Sequence, residues 1–265
     1  MRVGVFDSGL GGLTVVQALS RVIKGADIFY VADTKHAPYG EKTPEQILQY
    51  SLNITAYFLD EHQIDVLIIA CNTATSAAVK TLRERYPELI IIGTEPGIKP
   101  ALEQTRTKNI GVLATPATLV GEKYQDLVNV LSAKEEVTLY EQACPGLVEQ
   151  IENGEIESGK THDMLEGWLH PMRENDVDTI VLGCTHYPLV AHKIEEIMKR
   201  EMNLIHTGDA IAKRLLALAE EKGYENRGKF SLCIMSTAKI DQEIIKQIIP
   251  EYDCFKFISV KTSNF

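Results

Sequence analysis

Short, largely apolar runs separate longer stretches in which apolar residues recur at helical spacing. The runs RVGVF (2–6), DIFYVA (27–32), VLIIA (66–70) and LIIIG (89–93) predict four strands in the first half of the chain. NIGVLA (109–114), EVTLYE (136–141), TIVLG (179–183) and MNLIHT (202–207) predict four more. Most of them do not alternate apolar with polar, as expected of strands that helices cover on both faces. Between them, PEQILQYSLNITAYFLDEH (44–62) and TLVGEKYQDLVNVLS (118–132) read as amphipathic helices. Strand and helix alternating in this way build βαβ units around parallel sheets.

The two halves echo each other. GVFDSG (4–9) resembles GVLATP (111–116), and VLIIACNTATS (66–76) resembles TIVLGCTHYPL (179–189), each pair a strand ending in polar or reactive side chains. The fold class expected is α/β, with two pseudo-symmetric lobes, each a largely parallel sheet flanked by helices. EPGIKP (95–100), with two prolines and a glycine, marks the crossing point. After HTGDA (206–210), the helical stretch AIAKRLLALAEEKG (210–223) has no strand of the second lobe left to serve. The expected division is therefore residues 1–97 plus 210–265 for the first lobe and 98–209 for the second. Open α/β sheets bind ligands beyond the carboxyl ends of their strands, which places the expected active site in the interlobe cleft.

Composition narrows the classes. With 265 residues, 45% of them hydrophobic and 24% charged, the chain has the profile of a soluble globular protein. No apolar run approaches the ~20 residues of a membrane span, and no targeting segment is recognised, so a cytoplasmic location is expected. The net charge of −10 argues against nucleic acid or a membrane surface as partner and leaves a small anionic substrate open. The cysteines are Cys71, Cys144, Cys184, Cys233 and Cys254. No CxxC pair is among them, which disfavours a zinc knuckle or a thioredoxin motif. Cys144, Cys233 and Cys254 lack a hydroxyl-rich corner and read as packing.

Cys71 and Cys184 differ from the other three. Each follows a buried strand and precedes Thr within two positions, at a corner where hydroxyls and free backbone N–H groups can hold a carboxylate. Two such thiols suggest two-base proton exchange at a carbon, one group removing a proton and the other delivering one to the opposite face. A free thiol titrates near ~8.5, so each needs an acid–base assistant. Asp7 can serve Cys71, and His186 can serve Cys184. Asp7-Ser8-Gly9 could instead cap a helix, and His186 could be a buried structural histidine. GLGG (9–12) is a weak phosphate-loop signal, since it lacks the Walker lysine and does not fit GxGxxG.

Taken together, VGVFDSGLGGLTV (3–15), ADTKHAPYG (32–40), IIACNTATS (68–76), GVLATPAT (111–118), ACPGLVEQIENGE (143–155), VLGCTHYPL (181–189) and HTGDA (206–210) resemble the cofactor-independent aspartate/glutamate racemase family. The resemblance implies interconversion of L- and D-glutamate, without pyridoxal phosphate or metal, supplying D-glutamate for peptidoglycan. It also supports the return of 210–265 to the first lobe. By position, Cys71 would exchange the proton on the face used for the D-isomer and Cys184 that for the L-isomer. Asp7 would assist Cys71, and His186 with a glutamate after the ACP stretch would assist Cys184. Implied substrate contacts are Asp7, Ser8, Pro38, Tyr39, Gly40, Asn72, Thr73, Thr115, Thr118, Thr185 and His186. The family contains dimers and monomers, so a homodimer is admitted.

The chain departs from the family pattern in two places. GLVEQIE (146–152) replaces a bulkier stretch; counting along the pattern gives Glu152 as the assistant, with Glu149 as a nearby alternative. Thr94 stands where an apolar residue is common and reads as a local packing change. The rival readings are a racemase of aspartate or another amino acid, a single-thiol hydrolase or decarboxylase, and a two-lobed binding protein.

Overall fold

The structure, a computed structural model, describes residues 1–132, 137–240, 242–249 and 256–259. Glu136, at the start of one predicted strand, and Cys254 lie outside the described residues. The chain divides into two compact units, Met1–Thr94 with Gly208–Phe265, and Glu95–Thr207. The first opens with β1 (Arg2–Asp7), α1 (Leu13–Val22), β2 (Asp27–Ala32), α2 (Pro44–His62), β3 (Val66–Ile69), α3 (Asn72–Arg85) and β4 (Ile90–Gly93). The second begins with α4 (Ile98–Gln104), β5 (Asn109–Ala114), α5 (Pro116–Val120), α6 (Glu122–Ser132) and β6 (Thr138–Ala143). It continues through α7 (Leu147–Glu152), α8 (Gly159–Glu174), β7 (Thr179–Gly183), α9 (Ala191–Met198) and β8 (Asn203–Ile205). The chain then adds α10 (Gly208–Glu221), β9 (Ser231–Ser236), α11 (Gln242–Ile248) and β10 (Lys256–Ser259) to the first unit.

The first unit is a six-stranded parallel sheet in the order β10-β9-β2-β1-β3-β4. Helices α2 and α3 pack on one face, and α1 packs with α10. The α2/α3 face buries Phe6, Val31, Ile54, Phe58, Ile69 and Leu82, each contributing about 1.5–3 kcal/mol of hydrophobic stabilisation. Phe6 points into this core, so Asp7, the next residue along the pleat, points to the other face. Gly12 lies against Asp7 there: a Cβ on it would stand 2.7 Å from the Asp7 Cβ and 2.9 Å from the Tyr30 hydroxyl. This close approach accounts for part of the glycine richness of GLGG.

The second unit is a four-stranded parallel sheet in the order β6-β5-β7-β8. Leu113, Leu147, Leu165, Ile180, Tyr187 and Ile194 form the core beneath α7, α8 and α9. Ile98, Ile110, Val112, Tyr124 and Val181 form the core on the α4/α6 side. The order β2-β1-β3-β4 in the first unit is thus repeated as β6-β5-β7-β8 in the second, so β3 and β7 occupy equivalent places. Cys71 follows β3 and Cys184 follows β7.

Several sequence-based elements are corrected. The predicted helix over 118–132 is two helices, broken at Gly121, whose backbone is extended (φ −66°, ψ 134°); glycine is a poor helix former. The second-unit strand predicted at 136–141 runs Thr138–Ala143, because its register follows β5 from Asn109↔Thr138 to Ala114↔Ala143. The run at 202–207 is a strand only over Asn203–Ile205. β9 was not predicted; its sequence SLCIMS carries a single β-branched residue and gains its strand identity by pairing with β2 along its whole length.

Candidate active site

In the first unit the chemistry gathers at the carboxyl ends of β1 and β3. Asp7 is fully buried at the end of β1. Its Oδ1 accepts from the Ser8 hydroxyl at 3.1 Å and from the Gly9 backbone N–H at 3.3 Å. The Tyr30 hydroxyl donates to the Gly9 carbonyl at 2.5 Å, which braces this loop from β2. Helix α1 begins only at Leu13, with Gly12 as its cap and no capping side chain, so Asp7-Ser8-Gly9 does not cap it.

Cys71 caps α3. Its backbone is extended (φ −79°, ψ 124°), and its sulfur accepts from the Ala74 N–H at 3.4 Å. A sulfur at a helix N-terminus feels the positive end of the helix dipole, which favours a thiolate. The Ser8 hydroxyl lies 4.0 Å from Cys71 Sγ, between that sulfur and the Asp7 carboxylate. Asn72 is buried, and neither its Oδ1 nor its Nδ2 has a hydrogen-bond partner. An unmet buried amide is costly unless something arrives to meet it. Thr73, next to it, is also buried.

Pro38, Tyr39 and Gly40 are held by a second buried carboxylate. The Tyr39 hydroxyl donates to Asp33 Oδ2 at 2.6 Å, and Tyr39 is itself buried. Burial first, and then the charge of Asp33, hold the Tyr39 phenol well above its ordinary value. Asp33 also meets His36 Nδ1 at 2.9 Å and accepts from the Thr237 hydroxyl at 2.8 Å.

In the second unit, Cys184 follows β7 directly, and His186 Nδ1 lies 3.7 Å from its sulfur. The other ring nitrogen, Nε2, stands 2.5 Å from Glu152 Oε1. Burial opposes a charged imidazole, but the hydrogen bonds to Cys184 and Glu152 and their negative charge outweigh it. The His186 pKa is held well above its ordinary value. Glu152 reaches this place because Gly146, in the left-handed region (φ 79°), turns the chain into the short helix α7 that ends at Glu152. Thr115 caps α5, its Oγ1 accepting from the Thr118 N–H at 3.2 Å and lying 2.9 Å from the Thr118 hydroxyl. Thr115, Thr118 and Thr185 are all buried. Each unit therefore places titratable groups near one thiol: a carboxylate beyond a serine in the first, a histidine–glutamate couple in the second. No cluster of three or more metal-binding side chains occurs among the described residues.

A model of the Asp/Glu/Hydantoin racemase family matches residues 5–215. The chain belongs to that family. It is 58% identical over 249 residues to a glutamate racemase of Aliarcobacter butzleri, covering 94% of this chain and 95% of that protein. Among solved structures it resembles a glutamate racemase isoform from Bacillus anthracis, with a TM-score of 0.85 and 27% identity over 98% of this chain and 97% of that one. It also resembles a Francisella tularensis glutamate racemase solved in complex with D-glutamate, with a TM-score of 0.80 and 25% identity over 100% of this chain and 98% of that one.

As a member of the Asp/Glu/Hydantoin racemase family, the chain carries its expected side chains in two groups. Asp7, Ser8, Cys71, Asn72, Thr73 and the Pro38–Gly40 turn lie in the first unit. Thr115, Thr118, Glu152, Cys184, Thr185 and His186 lie in the second. Of the two candidate carboxylates, Glu152 meets His186, while the charge of Glu149 acts on Tyr187. Cys144 is buried among the core residues of the second unit, and burial pushes its thiol far up; Cys233 packs half-buried against the α2/α3 core. Sequence reasoning missed Asp33 and Tyr30. The signal for Asp33 was present, since it follows β2 directly, one position beyond Ala32, the strand partner of Asp7.

Proposed function

We propose that this chain interconverts L- and D-glutamate by exchanging the α-proton through Cys71 and Cys184, with no cofactor, and so supplies D-glutamate for peptidoglycan. The observation that carries the reading is the repeated corner: one thiol after the equivalent strand of each unit, each with its own acid–base partner. Inversion at carbon needs a group that takes a proton from one face and a group that returns one to the other. Two thiols of similar duty let the reaction run in either direction.

In the L-to-D direction Cys184 acts as base. His186, its Nε2 committed to Glu152, presents Nδ1 to the Cys184 sulfur and serves as that thiol's acid–base partner. Cys71 delivers the proton on the opposite face, and Asp7 acts on it through Ser8. In the reverse direction the two thiols exchange roles. The substrate's carboxylates and ammonium need polar anchors in a dry site. Asn72, Thr73, Thr115, Thr118 and Thr185 are buried polar side chains suited to that task. The unmet amide of Asn72 is the clearest of them. Free glutamate as substrate fits a cytoplasmic enzyme.

Circular dichroism of purified protein mixed with L-glutamate alone tests the reading. The signal should decay to zero as the racemate forms, and L-aspartate in parallel should stay unchanged. An unchanging glutamate signal, or faster loss of the aspartate signal, would overturn the assignment.

A further inference from the structure

Thr94 holds a place in the fold that gives its hydroxyl a use beyond packing. It follows β4 directly and is buried. Its hydroxyl lies 2.6 Å from the Ile69 carbonyl and 3.0 Å from the Ala70 carbonyl, the two residues that lead into Cys71. A hydroxyl has one hydrogen, so the two carbonyls share it. Thr75, in the first turn of α3, completes the brace: its hydroxyl donates to the Ile69 carbonyl at 3.2 Å and accepts from the Thr94 N–H at 2.9 Å. On the other side, the Ala70 N–H donates to the Phe6 carbonyl of β1 at 2.9 Å.

The residue before Cys71 is thus pinned from both sides, by β1 at its N–H and by Thr94 at its carbonyl. Beyond Cys71, the Thr75 N–H bonds the Cys71 carbonyl at 2.9 Å, the first turn of α3. With both flanks fixed, the sulfur stays over the helix N-terminus, where the Ala74 N–H meets it. We propose that Thr94 is a positioning residue for Cys71, holding the thiol in register through the carbonyls of Ile69 and Ala70. The inference rests on the proton-exchange reading only for its effect on turnover; its effect on Cys71 itself does not depend on that reading. Valine would fill the same space without the donor, removing the Thr94 bond from both carbonyls while Thr75 still donates to that of Ile69, so the loss falls mainly on the Ala70 carbonyl next to Cys71. Serine would keep the donor.

Two readouts on Thr94→Val and Thr94→Ser test this. The first is the rate of iodoacetamide alkylation at Cys71, mapped by mass spectrometry with Cys184 in the same molecule as the internal reference. The second is glutamate racemisation. In Thr94→Val the ratio of Cys71 to Cys184 alkylation should change at least threefold, and kcat should fall roughly tenfold with KM little altered. Thr94→Ser should restore both. An unchanged alkylation ratio, an equal change at both cysteines, or a Thr94→Ser variant no better than valine would overturn the proposal. If the wild-type protein failed to racemise glutamate, the functional reading would fall, and the alkylation ratio would still decide the role of Thr94.

Discussion

His186 and Glu152 meet at 2.5 Å, with the imidazole fully buried and the carboxylate reached from the end of a short helix. The pair turns an isolated thiol–histidine contact into a couple in which the ring's far nitrogen is committed to a carboxylate. That commitment fixes which nitrogen faces Cys184.

Removing the carboxylate should therefore lower the His186 pKa. In Glu152→Gln, burial still penalises the charged ring, and the largest remaining support is the Cys184 contact. The raised folded-state pKa means the couple stabilises the protein fully below the unfolded histidine value of about 6.5 and loses this contribution as pH rises through the folded value. The variant should lose that dependence and racemise roughly ten- to a hundredfold more slowly. Histidine NMR titration and thermal melts against pH check both parts.

Asn72 offers the opposite trade. Its amide is buried and unmet in the free protein, a penalty of about 1–3 kcal/mol for an unpaired polar group. Asn72→Ala should leave the melting temperature unchanged or raise it, while KM for glutamate rises roughly tenfold, a loss of about 1.4 kcal/mol of binding. Calorimetry and steady-state kinetics measure the two sides.

His62 ends α2, stacked on Phe29 at 4.2 Å between ring centroids and with its Nε2 buried and unpartnered. Burial, helped by the charge of Arg2 and opposed by Glu61, lowers its pKa. The unfolded chain then binds a proton more readily than the folded one, so stability falls as pH drops from about 6.5 toward the folded value. His62→Phe should flatten that acid limb in melts taken between roughly pH 5 and 7, with racemisation at neutral pH retained.

The two cysteine corners were legible because local pattern carries them: an apolar strand, a small residue, then the thiol at the strand's end. The choice between Glu149 and Glu152 was not, since residues three apart share one face of a helix. In the fold it is Glu152, at the end of α7, that meets His186. Asp33 was read only as part of a motif, because the Thr237 that helps hold it stands just beyond β9, 204 residues along the chain. Thr94 looked like packing for the same reason. Its hydroxyl matters through two carbonyls on a neighbouring strand, a relationship the one-dimensional pattern does not contain.

The most direct measurement is deuterium incorporation at the α-carbon of glutamate in D2O, from each enantiomer, for wild type, Cys71→Ser and Cys184→Ser. The wild-type protein should exchange and racemise from both enantiomers, and each single variant should lose racemisation by at least about a hundredfold. Full racemisation by either variant would contradict the assignment of one proton-exchanging thiol to each unit.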